Sequence, residues 1–416
     1  MKKFYRFIFP IIIITLLVVN GCAEKPTPSL FADVPTGPIG VTPTVSSITP
    51  QDSALSGITT LTITGANFSS DPTKDLVYFN GRPVKIISST STTIDIQAPL
   101  LLADTVGAET GNFEVSTLNA EKFSNQIPYK VNASIYQFFL FSNTLRPYDF
   151  VIDQNSVFYV SMTNEIPAGL GVKKLVPGGA LQDYASKGLE TNWNAMRLGP
   201  GGIIYTVLKG TGAVFQIPAG GGKPATYKAL PNVKARMATF DIDALNNIWL
   251  AGDDTAIYKI KPDKSLVTYL FKGNITAVRF FNNSLYAAIV ADSQTTIQSF
   301  PVDANGNLGN AALYYDYSKD YGTESVNAIE FSADGDMYLA TNNVNSPIVV
   351  VHQTKASEIL FNGTLPKAPA LFMYWGSNGY LYYTRGVVTD ATNAVLITQT
   401  ILRLSISKQG APYYGQ

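Results

Sequence analysis

The chain has one cysteine, Cys22, and one histidine, His352. A single thiol excludes an intrachain disulfide and a thiolate metal cage, so buried cores must stabilise whatever folds. A single imidazole excludes multi-histidine metal centres. It also leaves any histidine-based triad resting on His352, which follows Val349-Val350-Val351 in a strand-like run with no nucleophile motif beside it. Charge is scarce too: Asp, Glu, Lys and Arg make up 14% of the residues, where about a quarter is usual, and 30 basic side chains balance 30 acidic ones. No nucleic-acid partner is expected, since neither a basic excess nor an interleaved aromatic-basic stretch is present to track phosphates. Helical periodicity is missing beyond residue 41. Short β-rich runs separated by Gly, Asn, Asp and Pro take its place, and the expected class is all-β.

What is present begins with Lys2, Lys3 and Arg6, followed by the apolar run Phe7–Val19. That run is of signal-peptide length and short of the roughly 20 apolar residues that span a bilayer. Val19-Asn20-Gly21-Cys22 resembles the lipobox of bacterial lipoproteins. The resemblance implies that residues 1–21 are a signal peptide and that Cys22 is acylated, making the membrane a partner through a lipid anchor. It places the chain in a bacterial cell envelope. The outer membrane is expected, and the periplasmic or surface face is left open. Residues 22–41, with Pro26, Pro28, Pro35 and Pro38, read as a flexible tether, because such a segment cannot bury enough apolar surface to offset its ordering.

Residues 42–130 read as a small β-sandwich. Leu61 and Ile63 alternate with threonines, Ile94 and Ile96 repeat the pattern, and Leu76–Phe79 leads into the turn pair Asn80-Gly81. Pro43–Pro50, then Leu61–Phe68 with its Gly65-Ala66-Asn67-Phe68 ending, then Val77–Gly81, resemble an IPT/TIG domain of the immunoglobulin-like class. That family implies a spacer or binding module in a cell-surface protein.

Residues 135–416 carry a repeat in which a turn is followed by an apolar-aromatic step. Its anchors are Tyr159, Tyr205, Trp249, Tyr286, Tyr338 and Tyr382, spaced 37 to 52 residues apart. Each anchor is preceded by one strand candidate and followed by another, and a fourth follows in five of the six repeats. The repeats resemble six-bladed β-propellers of the NHL/TolB-like class, as in Phe331–Ala340, with seven blades as the alternative. Too little chain follows Leu404 to supply a sixth outer strand. Ile135–Leu140 is therefore expected to complete the final blade and close the propeller.

No coherent catalytic constellation emerges, so the reading favours a non-enzymatic binding or scaffold protein, with the sandwich as spacer and the propeller as recognition platform. A glycan or an envelope protein is the expected partner. Trp193, Tyr315, Tyr321, Trp375 and Tyr383 fall near turns or strand edges, where an aromatic face beside amides and hydroxyls could bind a ligand. No cofactor is expected under this reading. The alternative is a propeller hydrolase or lactonase using Ca²⁺ or Mg²⁺, for which Asp149, Glu190, Asn194, Glu324 and Asn327, with Asn192 and Asn274, lie near the starts of inner strands and offer hard oxygen ligands.

Overall fold

The computed structural model describes residues 40–101, 107–137, 139, 141–142, 144–164, 168–188, 192–208, 210–230 and 236–415. Cys22 and Glu190 lie outside them. Among the described residues no helix is long and apolar enough to cross a membrane.

Two facing sheets form the first unit. Thr44–Thr49, Thr60–Ala66, Thr93–Gln97 and Ile86–Ser89 pair in that order; Ala54–Leu55, Ile127–Asn132, Ala108–Thr117, Asp75–Phe79 and Arg82–Val84 make the second sheet. Period-two alternation turns Leu61, Ile63, Ile94 and Ile96 inward from one sheet and Val77, Phe79, Phe113, Val115 and Val131 from the other, all buried. Asn80 and Gly81 have φ of 49° and 74°, the positive pair that a two-residue hairpin requires. At Gly65 the strands approach so closely that a Cβ would lie 1.9 Å from the Thr44 carbonyl oxygen, which accounts for glycine in this stretch.

The second unit consists of six repeats. Repeat 1 is the sheet Leu145–Ile152, Phe158–Asn164, Gly169–Leu175 and Leu181–Ala185; repeat 2 is Ala195–Leu198, Ile204–Val207, Ala213–Ile217 and Ala225–Ala229. Repeats 3 and 4 merge into one six-stranded sheet running from Arg236–Ile242 to Ala312–Asp316. Within it the long strand Leu266–Phe281 pairs with Ile248–Ile260 through residues 266–274 and with Ser284–Ala291 through residues 274–281, so the outer strand of repeat 3 runs directly into the first strand of repeat 4. Repeat 5 is Val326–Phe331, Met337–Thr341, Ile348–Val351 and Ser357–Ile359.

Repeat 6 combines Ala370–Trp375, Leu381–Arg385 and Thr400–Leu404 with Ile135–Tyr136, which pairs antiparallel with Thr400–Leu404 through Ile135↔Leu404 and Tyr136↔Arg403. Each repeat's first strand packs on the next, and Ala370–Trp375 packs back on Leu145–Ile152, giving a propeller-like arrangement. Four features depart from the sequence reading. Of the expected closing strand Ile135–Leu140 only Ile135–Tyr136 is strand, with Phe138 and Leu140 outside the described residues. The fourth-strand candidate of repeat 4, Leu313–Tyr317, ends early, with Tyr317 beginning the short helix Tyr317–Tyr321; the hairpin Val388–Thr389/Val395–Ile397 is inserted in repeat 6; and Ser405–Gly415 folds back across the sheets.

The two units meet at a short junction. Ser134 Oγ donates to the Ser56 carbonyl (2.8 Å), while Ser405 donates through its N to the Ser134 carbonyl (2.9 Å) and through its Oγ to the Ala133 carbonyl (3.0 Å).

Candidate functional site

The starts of the six first strands surround a cavity of about 430 Å³. That size falls in the range of about 300–1,000 Å³ typical of small-molecule sites. Its wall is not uniform. Repeats 1 and 6 contribute Tyr148, Leu371 and Phe372, with both rings half-buried. Ring order puts repeats 3 and 4 opposite, and these contribute Thr239, Asp253, Asn274 and Thr276. Repeat 2 adds Asn192 and Asn194 on one flank, and repeat 5 adds Ser325, Asn327 and Asn342 on the other. The two rings thus face amides, hydroxyls and the Asp253 carboxylate, set among Ala238, Ile275, Ala277 and Val278. On the repeat 5 flank the polar groups are fixed by each other: Asn327 Nδ2 donates to Asn342 Oδ1 (2.8 Å) and to the Ala370 carbonyl (2.9 Å), and Asn342 Nδ2 donates to Ser325 Oγ (2.7 Å).

Asp149 and Arg197 also line the cavity, and behind them lies a buried layer of charge. Arg197 Nε donates to Asp241 Oδ1 (2.9 Å), Arg279 Nη1 to Asp241 Oδ2 (2.9 Å), and Arg279 Nε to Glu330 Oε2 (3.1 Å). Burial alone would raise the Asp241 pKa, but two arginines and the Phe280 N–H at 2.7 Å hold it below the usual carboxylate value. Glu330, fully buried with Arg279 as its hydrogen-bonded cation, is raised by that burial despite the attraction of Arg279 and Arg197.

These charges occupy one register. Arg197, Asp241, Arg279 and Glu330 are the cross-strand partners of the anchors Tyr205, Trp249, Tyr286 and Tyr338. The same place is held by Val151 opposite Tyr159 and by Tyr374 opposite Tyr382. Four successive repeats therefore carry charges of alternating sign at one position. That pattern was readable once the anchors were aligned.

Asp149 is pushed up to about 7 by burial, against the opposing attraction of Arg197 and the N–H groups of Met196 and Phe150. A raised carboxyl holds its proton in the folded state between about pH 4 and pH 7, where the unfolded chain has lost it. The stability it contributes is complete below its ordinary pKa and declines as pH rises toward 7. Urea midpoints should accordingly fall between pH 4.5 and pH 7.5, with Glu330, also raised by burial, acting in the same sense, and Asp149→Asn should make that fall measurably smaller.

The metal candidates separate on inspection. Asp149, Asn192, Asn194, Asn274 and Asn327 do converge on the cavity, whereas Glu324 is exposed and is not part of the wall. The two Asp149 oxygens accept from Phe150 N (2.8 Å) and Met196 N (2.6 Å), so the carboxylate is committed to backbone. Among the described residues no three His, Cys, Asp or Glu side chains gather as metal ligands would.

The aromatic candidates lie elsewhere. Trp193, Tyr315, Trp375 and Tyr383 are buried, which corrects the expectation that they offer exposed faces. Each is used for packing: Trp193 against Phe215 (5.3 Å between centroids), Trp375 edge-on to Tyr338 (5.5 Å), and Tyr383 in the core between repeats 5 and 6. The Tyr315 hydroxyl donates to Asp320 Oδ2 (2.7 Å), and Tyr321, half-buried, sends its hydroxyl to Ser357 Oγ (3.1 Å). His352 sits at the outer edge of repeat 5, with Nδ1 2.9 Å from Asp336 Oδ2. The cavity aromatics Tyr148 and Phe372 were missed because nothing in their local sequence separates a ring that faces the channel from one that faces a neighbouring sheet.

Residues 43–132 match the IPT/TIG domain family. The first unit is an IPT/TIG domain. No curated protein matches the chain. Among solved structures, a Bacteroides thetaiotaomicron protein named a candidate phosphatase is similar at 9% identity and a TM-score of 0.57, over 89% of this chain and 98% of its own. A protein of unknown function from the same organism gives 10%, 0.50, 89% and 99%, and a luciferin-regenerating enzyme gives 14%, 0.50, 65% and 94%. At these identities the likeness is one of fold.

Proposed function

We propose that this protein is a lipid-anchored, extracytoplasmic binding protein that captures a neutral glycan in the propeller cavity and does not transform it. In this reading Cys22 carries the lipid and residues 22–41 are the tether. The IPT/TIG domain is a spacer, and residues 135–416 are a six-bladed propeller whose last blade is completed by Ile135–Tyr136. The observation that carries the reading is the cavity wall, with Tyr148 and Phe372 facing Thr239, Asn274 and Thr276. A sugar offers an apolar ring face to the former and hydroxyls to the latter, where Asn274 is joined by the Thr239 and Thr276 oxygens, each of which is already bonded to backbone and keeps further capacity. Anionic ligands are disfavoured, because the cation at the wall, Arg197, is already paired with Asp241.

The test is a binding screen of residues 23–416 against neutral glycans and against envelope proteins. Tyr148→Ala should weaken glycan binding at least tenfold, equivalent to about 1.4 kcal/mol. Capture of an envelope protein by Tyr148→Ala and wild type alike, with no glycan bound, would replace this reading.

A further inference from the structure

We infer that the cavity is a blind cup that receives the free end of a neutral saccharide chain and cannot be threaded by an internal segment; this rests on the glycan reading above. The observation is the path of Ser405–Gly415. After Leu404 the chain turns across the end of the channel opposite the cavity and is pinned there. Ala411 N donates to the Phe331 carbonyl (2.8 Å), Arg279 Nη2 to the Pro412 carbonyl (3.0 Å), and Trp375 N to the Tyr413 hydroxyl (2.7 Å). The Tyr413 ring lies flat on Tyr374 at 4.0 Å and 9°, and Tyr414 stands edge-on to Phe280 at 5.6 Å. Gly415 reaches repeat 2, where a Cβ would come within 3.3 Å of the Gly199 Cα.

These contacts touch the ends of the first strands in repeats 2, 4, 5 and 6. Most residues lining the cavity lie instead toward the beginnings of the first strands or just before them, with Asp253 added from a second strand and Asn342 from just after one. Between mouth and plug lies the ion-paired layer of Arg197, Asp241, Arg279 and Glu330, in which Arg279 and Glu330 are wholly buried. A ligand must therefore enter and leave by one mouth. A polymer can offer such a cup its terminus, and the cavity volume suits a mono- or disaccharide unit.

The test is calorimetric titration of residues 23–416 with linear glucan, mannan, xylan and fructan oligomers of increasing length, alongside cyclic glucan and cyclic fructan. For the classes that bind, end recognition gives a molar affinity constant within about twofold from trimer to long polymer, and at least a tenfold loss for a cyclic form. Affinity per mole that climbs steadily with length, or cyclic forms binding as well as linear ones, would overturn the cup while leaving glycan binding in place. Binding by none of the probes would overturn the glycan reading itself, and the cup with it.

Discussion

Arg279→Met is expected to lower the unfolding free energy of the second unit by about 3–5 kcal/mol, the cost typical of removing one partner from a buried ion pair. The side chain is wholly buried and serves four acceptors: Asp241, Glu330, the Phe280 carbonyl and the Pro412 carbonyl. Its guanidinium carbon also lies 4.3 Å from the centre of the Tyr413 ring. Methionine fills much of the same volume, so the loss is not chiefly one of packing. It comes from stranding Glu330, whose hydrogen-bonded cation is gone, and from leaving Asp241 with Arg197 alone. Arg279→Lys should recover less than half of the loss, because one ammonium cannot reach acceptors spread around a planar fork. All three tryptophans, Trp193, Trp249 and Trp375, lie in the second unit, so tryptophan emission in urea follows its unfolding without interference from the IPT/TIG domain. An unchanged midpoint in Arg279→Met would show that the charge layer contributes nothing to stability.

The strands were legible where local chemistry decides them. Ala213–Ile217 and Ala225–Ala229 run as the alternation and flanking turns indicate, and Ile348–Val351 as its short β-branched run indicates, because side-chain pattern and turn residues act within a few positions. The gathering of Asp149, Asn194, Asn274 and Asn327 at one cavity was legible for the same reason, since equivalent positions of a repeat are brought to equivalent places. What failed to show was whatever depends on contact across repeats. Trp375 and Tyr383 look like edge aromatics in their own segments but are covered by neighbouring sheets. Arg279 and Glu330 look like solvated charges yet are neutralised by partners 38 and 51 residues away. Ser405–Gly415 has no periodicity at all, and its place is set by the first-strand ends that it crosses.

That segment carries the second large effect. Tyr413→Ala should cost about 3–5 kcal/mol, the range for truncating a large aromatic in a packed site, and ending the chain at Leu404 should cost more. Truncation removes the Tyr374 stack, the Phe280 contact and the Ala411 and Gln409 backbone bonds together, and it strands one arm of Arg279. Tyr413→Phe removes the hydroxyl alone, which also lies beside Glu330. It keeps the stacked ring but takes away the hydroxyl oxygen that accepts from Trp375 N, leaving that N–H unpaired at a cost of about 1–3 kcal/mol. Thermal unfolding followed by tryptophan emission should therefore rank wild type above Tyr413→Phe, above Tyr413→Ala, above the truncation. If Tyr413→Ala melted with wild type, the segment would be a passive covering and the charge layer would not depend on it. The expected ranking instead makes the seal and the buried charges one cooperative structure, because Arg279 belongs to both.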